Sequence, residues 1–276
     1  RPPRAILADP RVLASAPYAL TTAGLGDVLA KPVSSADWLV NNLLFGDYYC
    51  PRAVSLIGEI EPLYLDNPEA LRRLEPDALA ALFRALLLTG AAMTMAGTSS
   101  PASGGEHLIS HTLDMMSSID HQPHDLHGRQ VGVGTMIASE LYRRIIETES
   151  PALAEESAEV DRAFWGKMAA KIEPFRKEKQ PRLQAAREKL AAGGTWDRLR
   201  EAVRPMVRQP ERTRDCLRRS GAASSISDLG CTPRRLLDAL LHAALGNAHD
   251  ERAVLVRPRR HDELVVEPLQ RVLRRI

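Results

Sequence analysis

The stretch ALAALFRALLLTGAAMTMA, residues 78–96, decides the fold class of this chain. Its apolar residues fall on nearly every side of a helix, and such a helix is buried when it belongs to a globular protein. We therefore expect a helix over residues 76–96, at the centre of an all-α bundle. The methionines at 93, 95, 115 and 116 are then core filler. On either side, apolar residues recur at three- and four-residue spacing, which predicts further helices at 24–45, 102–116, 128–147, 156–175, 181–192 and 233–245.

The beginning of the chain has a different pattern. Residues 5–10, AILADP, form a short apolar run that ends in a turn signal, and this run predicts a strand. No alternating strand series and no internal repeat follow it. The sequence therefore predicts a mainly α protein, a helical bundle with a short strand remnant at its N-terminus.

Composition narrows the class of protein. The chain has 276 residues, 44% of them hydrophobic, and a formal net charge of only +2. These values indicate a soluble globular protein and give no sign of nucleic-acid or membrane binding. No signal peptide precedes the first residue, and we expect no apolar run near the ~20 residues that cross a bilayer. Cys50, Cys216 and Cys231 lack CxxC spacing, which is typical of reduced thiols, so we expect a cytoplasmic protein.

The chemistry of the chain concentrates in a histidine cluster. Five of the eight histidines lie between residues 107 and 127. His107 and His111 are four residues apart, so on a helix they lie one turn apart on the same face. His127 begins the next helical segment, and a ligand from a neighbouring helix can complete most of a metal's coordination shell. Chance or helix capping would explain any single histidine, but the three together predict a metal or polar catalytic site.

A carboxylate candidate lies upstream, in AGLGDVLAK at residues 23–31. Taken alone, Gly-x-Gly-Asp is typical of a helix start. One carboxylate and two imidazoles, however, make the ligand set of a catalytic zinc-type site that can polarise a carbonyl. Asp27 is the natural carboxylate. Asp37 could as easily be structural, and Asp114 is a candidate acceptor for an imidazole N–H.

Together these motifs resemble the sn-glycerol-1-phosphate dehydrogenases, within the superfamily of dehydroquinate synthase, glycerol dehydrogenase and the iron-containing alcohol dehydrogenases. The resemblance rests on GLGDVLAK with ADW, on SPASGGEHLISH and on HGRQVGVGT, and it covers about residues 5–144. It implies a metal held by Asp27, His107 and His127. It also implies that His111 and Asp27 contact the substrate and act in catalysis.

The resemblance also discriminates within the superfamily. The pattern of the iron-containing alcohol dehydrogenases has a further histidine ligand four residues after the aspartate. This chain has Lys31 at that position. Dehydroquinate synthases typically have glutamate where Asp27 stands. Glycerol dehydrogenases share the aspartate and two histidines but not the motif around His107. The glycerol-1-phosphate branch is therefore favoured, and a glycerol or related polyol dehydrogenase and a dehydroquinate synthase-type lyase stay as alternatives.

The activity that the resemblance implies is an NAD(P)-linked interconversion of dihydroxyacetone phosphate and sn-glycerol 1-phosphate. Zinc is the expected metal, with nickel or iron as alternatives. The resemblance further implies a Rossmann-like half with a glycine-rich turn, which the sequence does not contain. VGVGT, residues 131–135, follows His127 in a helical pattern, and we interpret it as a close helix-packing face rather than a dinucleotide site.

This difference predicts the domain organisation. Residues 1–16 are expected to be a remnant of the nucleotide-binding domain, and residues 17–276 an all-α domain that binds metal and substrate. We expect the chain to be the C-terminal portion of a longer dehydrogenase and to be inactive without its NAD(P)-binding domain. The expected partner is a small phosphorylated three-carbon substrate, and a homo-oligomer is left open. The alternative of another class is a non-catalytic helical module, which would be monomeric where a fragment with exposed apolar helices would self-associate.

Overall fold

A computed structural model describes residues 3, 5–56, 58, 60–151 and 159–243. These residues form helices joined by short connections, and no strand occurs among them, so the mainly α prediction is confirmed. The strand predicted at 5–10 does not form. Residues 5–9 are irregular, and a helix begins at Pro10 with the Asp9 side chain accepting a hydrogen bond from the Arg11 backbone N–H. A strand needs a neighbouring strand for its backbone hydrogen bonds, and the described residues offer none.

The described residues contain fourteen α-helices. They are α1 (Pro10–Ser15), α2 (Tyr18–Leu29), α3 (Lys31–Phe45), α4 (Pro51–Ser55), α5 (Glu61–Leu65), α6 (Pro68–Arg72), α7 (Pro76–Ala96), α8 (Gly105–Asp120), α9 (His127–Glu147), α10 (Arg162–Trp165), α11 (Ala169–Ala191), α12 (Thr195–Val203), α13 (Pro210–Ser220) and α14 (Pro233–His242).

Most predicted helices are found, and three had wrong bounds. The helix predicted at 156–175 is interrupted at Gly166, where α10 ends, and α11 begins at Ala169. The helix predicted at 24–45 is two helices, because Pro32 lies in the first turn of α3, the position where a missing N–H costs nothing. The helix predicted to begin at 181 instead continues α11, which contains both Pro174 and Pro181. Residues 156–158 and 244–245 of the predicted helices lie outside the described residues.

Helix α7 is buried on one side only, so its expected place at the centre of the bundle is wrong in part. Met95 is 49% exposed and is not core filler, whereas Met116 is buried. By length and composition α7 could cross a membrane, so the expectation that no apolar run approaches the length of a membrane-spanning helix is wrong. Of the 18 residues in its apolar stretch, 39% are buried. The core helix of a globular protein can have the same length and apolar composition. The buried face consists of Ala78, Leu79, Ala81, Leu82, Ala85, Thr89 and Ala92.

Glycines set the closest helix contacts, along what we call the seam, the packed faces of α2, α8 and α9. A Cβ atom on Gly26 would lie 2.0 Å from the Gly128 carbonyl oxygen, and one on Gly128 would lie 2.0 Å from the Ala23 carbonyl oxygen. On Gly134 it would lie 2.8 Å from the carbonyl oxygen of Glu106 in α8. Only glycine allows this approach. The interpretation of the glycines after His127 as a helix-packing face is confirmed.

Candidate metal centre

The seam brings together the three side chains predicted to hold a metal. Asp27 lies in the last turn of α2, His107 in the first turn of α8, and His127 is the first residue of α9. One ligand atom from each lies within 4.8 Å of the other two. The local sequence explains this arrangement, because Asp27 directly follows Gly26 and His127 directly precedes Gly128, the two glycines whose backbones are in contact.

The imidazoles form a compact group around Asp27. His107 Nε2 is 3.0 Å from Asp27 Oδ1. The ring centroids of His107 and His127 are 5.1 Å apart, and the His111 ring stacks on that of His127 at 5.2 Å with 17° between the planes. His111 therefore lies beside the three predicted ligands, as its four-residue spacing from His107 predicts.

A buried lysine adds a positive charge to this group. Lys31 Nζ lies 3.6 Å from Asp27 Oδ2 and donates a hydrogen bond to the Ala102 carbonyl oxygen at 2.7 Å. A protonated amine has no lone pair, so Lys31 compensates the carboxylate charge and is not a fourth ligand. Burial lowers the pKa of Lys31, with Asp27 and Glu106 opposing the shift. The i,i+4 spacing of Asp27 and Lys31 is the sequence signal for this contact.

The charges of the group follow from burial and from these neighbours. Burial raises the pKa of Asp27, but Lys31 and His107 lower it more, so the net pKa lies well below its ordinary value. Burial lowers the pKa of His107, but hydrogen bonds to Asp27 and Glu106 give a net increase. Burial, with repulsion from His107 and His127, lowers the pKa of His111 to about 4. Burial and His107 also lower the pKa of His127. At neutral pH the group therefore contains an ionised carboxylate and neutral imidazoles at His111 and His127.

Each of the two candidate ligand imidazoles has a hydrogen-bond partner at Nδ1. Glu106, which is fully buried, accepts from His107 Nδ1 at 2.7 Å and from the Gly104 backbone N–H at 2.9 Å. His127 Nδ1 is 3.0 Å from Ser110 Oγ. Partners of this kind orient metal-binding histidines in proteins. Sequence reasoning missed both of them.

Asp114, the residue predicted for that role, lies further out. Its Oδ1 is 3.0 Å from His124 Nδ1 and accepts from Gln130 Nε2 at 3.1 Å, so it contacts neither candidate ligand directly. His124 is exposed, and His121 is the left-handed residue that ends α8, with φ of 58°. These two histidines of the cluster are not among the converging ligand atoms.

Asp37 has a structural position. Its Oδ2 accepts from the Gly105 backbone N–H at 2.6 Å, and its Oδ1 accepts a short hydrogen bond from the Tyr142 hydroxyl. A Cβ atom on Gly104 would lie 2.3 Å from the same carboxylate. Asp37 thus joins α3 to the beginning of α8 and to α9, and it fixes the turn that carries His107.

The donor set fits a divalent metal. It offers two imidazoles and one carboxylate from three helices, and each imidazole is hydrogen-bonded at Nδ1, to Glu106 or to Ser110. Three protein ligands of these types, with one coordination position open, are the usual arrangement of catalytic zinc, and nickel and iron accept the same donors.

Comparison with known proteins gives several relatives that carry the same name. A glycerol-1-phosphate dehydrogenase [NAD(P)+] of Thermococcus kodakarensis is 38% identical over 141 residues, covering 51% of this chain and 39% of the relative. The enzyme of the same name from Bacillus licheniformis is 38% identical over 144 residues, covering 52% and 36%. That of Pyrococcus furiosus is 36% identical over 152 residues, covering 54% and 43%. No protein-family model matches the chain.

The similarity is strong over a limited length. The matches span about half of this chain and less than half of each relative. They bear out the resemblance based on the three sequence motifs. Over about half of its length, the chain is therefore a homologue of the glycerol-1-phosphate dehydrogenases.

Proposed function

We propose that this chain supplies the metal- and substrate-binding part of an NAD(P)-linked oxidoreductase that interconverts dihydroxyacetone phosphate and sn-glycerol 1-phosphate. The observation that carries the proposal is the convergence of Asp27, His107 and His127 at the seam. It occurs in a chain whose relatives are named glycerol-1-phosphate dehydrogenase [NAD(P)+]. The proposed partner is accordingly a small phosphorylated three-carbon substrate.

A divalent metal at Asp27, His107 and His127, zinc first and otherwise nickel or iron, supplies a Lewis acid that polarises the substrate carbonyl when it is bound. The chain prepares this site with its own groups. Lys31 keeps the Asp27 carboxylate ionised, and Glu106 holds the His107 ring with Nε2 toward Asp27. These contacts make a preformed site, which reduces the reorganisation needed when charge develops on the substrate oxygen.

His111 is proposed to contact the substrate. It stacks on His127 and lies one turn from His107, so it borders the space that the three ligands enclose. A neutral imidazole carries one donor and one acceptor, and it can orient a substrate hydroxyl or pass a proton to it. Asp27 is proposed to contact the substrate as well as the metal. Replacement of His111 should slow turnover more than it weakens metal binding.

Metal content of the purified chain tests the site. Plasma mass spectrometry should find about one equivalent of metal in the wild type, and this metal should be lost in Asp27→Ala and His127→Ala. His124→Ala is the matched control, because His124 is an exposed histidine of the same sequence cluster. Metal that is absent from the wild type, or indifferent to the two ligand substitutions, would favour the non-catalytic helical module.

Substrate choice is tested on the metal-loaded chain by calorimetric titration with dihydroxyacetone phosphate, glycerol and NADH. Dihydroxyacetone phosphate should bind and glycerol should bind far more weakly. Equal binding of the two would favour a glycerol dehydrogenase instead. The inactivity of the chain without its cofactor domain stays a prediction, and NADH binding with micromolar affinity would contradict it. We propose the cytoplasm as its location, and size-exclusion chromatography addresses the open question of a homo-oligomer.

A further inference from the structure

We infer that Gln130, which is not itself a candidate ligand, is a positioning residue that fixes the tautomer of His127 through Ser110. The inference rests on the proposed metal site and deepens it. A neutral imidazole carries its proton on one nitrogen and offers a lone pair on the other, and only the lone pair can bind a cation. Whichever group decides where the proton lies on His127 therefore decides whether the ring can act as a ligand.

The argument begins with the orientation of the Gln130 amide. Gln130 is buried on α9, and its Nε2 lies 3.1 Å from Asp114 Oδ1 and 2.9 Å from the Asp125 carbonyl oxygen. Both partners are acceptors, and an amide nitrogen has two N–H groups to donate. The opposite orientation would place the amide oxygen against two acceptors. The amide is thus held with Oε1 turned toward Ser110.

The next step assigns the hydroxyl proton of Ser110. Ser110 Oγ is 3.0 Å from Gln130 Oε1 and 3.0 Å from His127 Nδ1. An amide oxygen only accepts hydrogen bonds, so Ser110 must donate its single proton to Gln130. The lone pairs of Ser110 then face His127, and Nδ1 of His127 must be the donor. The proton of the ring is held on Nδ1, and the lone pair is left on Nε2.

The Nδ1 protons of the two imidazoles are held in different ways. Nδ1 of His107 donates directly to the Glu106 side chain at 2.7 Å, whereas Nδ1 of His127 depends on a hydrogen-bonded chain of two residues, Ser110 and Gln130. The two residues of this hydrogen-bonded chain, Ser110 and Gln130, are both buried. A purely structural role would join α8 to α9 but would not set the tautomer.

Gln130→Met separates the two roles, because it keeps the approximate volume and removes the amide. Without an acceptor at position 130, Ser110 can turn its proton toward His127 and hold the ring in the Nε2–H form. Chain labelled with ¹⁵N-histidine and freed of metal should show the His127 ring nitrogens change from the Nδ1–H to the Nε2–H pattern, with the signal assigned from His127→Gln. Zinc affinity should fall roughly 10- to 100-fold. The matched control is Gln184→Met, the same substitution at an exposed residue of α11, and it should change neither measurement.

A folded Gln130→Met chain that keeps the Nδ1–H pattern and binds zinc within about twofold of the wild type would overturn the inference. Ser110→Ala is the second variant in case Gln130→Met does not fold. It removes the acceptor of the Nδ1 proton, and an unchanged tautomer there would overturn the inference equally. The nuclear magnetic resonance measurement is made without metal, so it stands apart from the proposed function: a wild type that binds no metal would sink the metal site while the tautomer could still be read.

Discussion

Different kinds of residue contact form the seam and the outer layer. We define the outer layer as helices α11 to α13. In the seam, backbones touch at glycines and the buried Glu106 accepts a hydrogen bond from His107, while the buried Lys31 of α3 lies beside Asp27. In the outer layer, exposed arginines pair with nearby acids, as Arg218 does with Asp215 at 2.9 Å. Exposed ion pairs of this kind contribute little to the free energy of unfolding, whereas a substitution at a close backbone contact or at a buried charged residue is destabilising. The comparison teaches that the position of the metal site depends on a small set of close contacts.

The largest expected effect comes from adding one methyl group to the seam. Gly128→Ala places a Cβ atom 2.0 Å from the Ala23 carbonyl oxygen, so α2 and α9 must separate. We expect the free energy of unfolding to fall by about 3 kcal/mol or more, measured by urea denaturation.

Gly90→Ala is the matched control for this change. Gly90 is also inside a helix, α7, but a Cβ atom there would meet nothing within 4 Å. The substitution should raise the free energy of unfolding by about 0.5–1 kcal/mol, because alanine loses less backbone entropy on folding than glycine does. Equal stability of the two alanine variants would show that the glycine contact does not set the helix distance.

The second effect concerns the buried charge. Lys31→Met removes the ammonium beside Asp27, so the metal-free chain should lose about 2 kcal/mol of unfolding free energy. Saturating zinc should narrow the difference from the wild type, because a cation bound by the folded chain alone stabilises it and replaces the lost charge. Arg218→Met in the outer layer should cost less than about 0.5 kcal/mol, and thermal denaturation with and without zinc measures both. A metal-free Lys31→Met chain as stable as the wild type would contradict the role given to Lys31.

How far the sequence could predict the site follows from the same comparison. Asp27, His107 and His127 could be found because few residue types bind metals and their motifs are local in sequence. Their supporting residues could not be found, because the choice between Asp114 and Ser110 depends on how α8 is rotated against α9. Asp37 was ambiguous for a related reason: its partner Tyr142 lies 105 residues away in the chain.

The fold shows the same limit. The bounds of α7 could be read from its sequence, and they coincide with the predicted helix. The exposed side of α7 could not be predicted, because a helix that is apolar on every side gives no indication of which side packs against another helix. The predicted strand failed since strand formation depends on a partner that a local run of residues cannot reveal.

A third and smaller effect is acid sensitivity at the far end of α9. Hydrogen bonds from Arg143 lower the pKa of Glu140 below its ordinary value, although burial opposes this. A carboxyl whose pKa is lower in the folded chain stabilises it above the unfolded pKa, and this stability is lost as pH falls through the folded value. Arg143 and Arg144, which both pair with Glu140, are about one-third exposed, so we expect a contribution to the unfolding free energy below about 1 kcal/mol. Urea midpoints at pH 7 and pH 3 should differ less in Glu140→Gln than in the wild type, and Glu201→Gln, at an exposed position, should leave the difference unchanged.

The smallest effect separates buried from accessible thiols without changing the fold. Burial raises the pKa of Cys216 to about 12, and this residue of α13 packs into the core. Hydrogen bonding from the Ala53 backbone N–H, with Tyr48, lowers the pKa of Cys50. Since the thiolate is the reactive form, iodoacetamide at neutral pH should modify Cys50 first and leave Cys216 intact until the chain unfolds. Peptide mass spectrometry over a time course gives the order in which the thiols are modified. In urea, where the chain is unfolded, Cys50 and Cys216 should be modified at similar rates. Early modification of Cys216 in the native chain would mean that α13 separates readily from the core, and the outer layer would then be joined to the seam less firmly than its packing indicates.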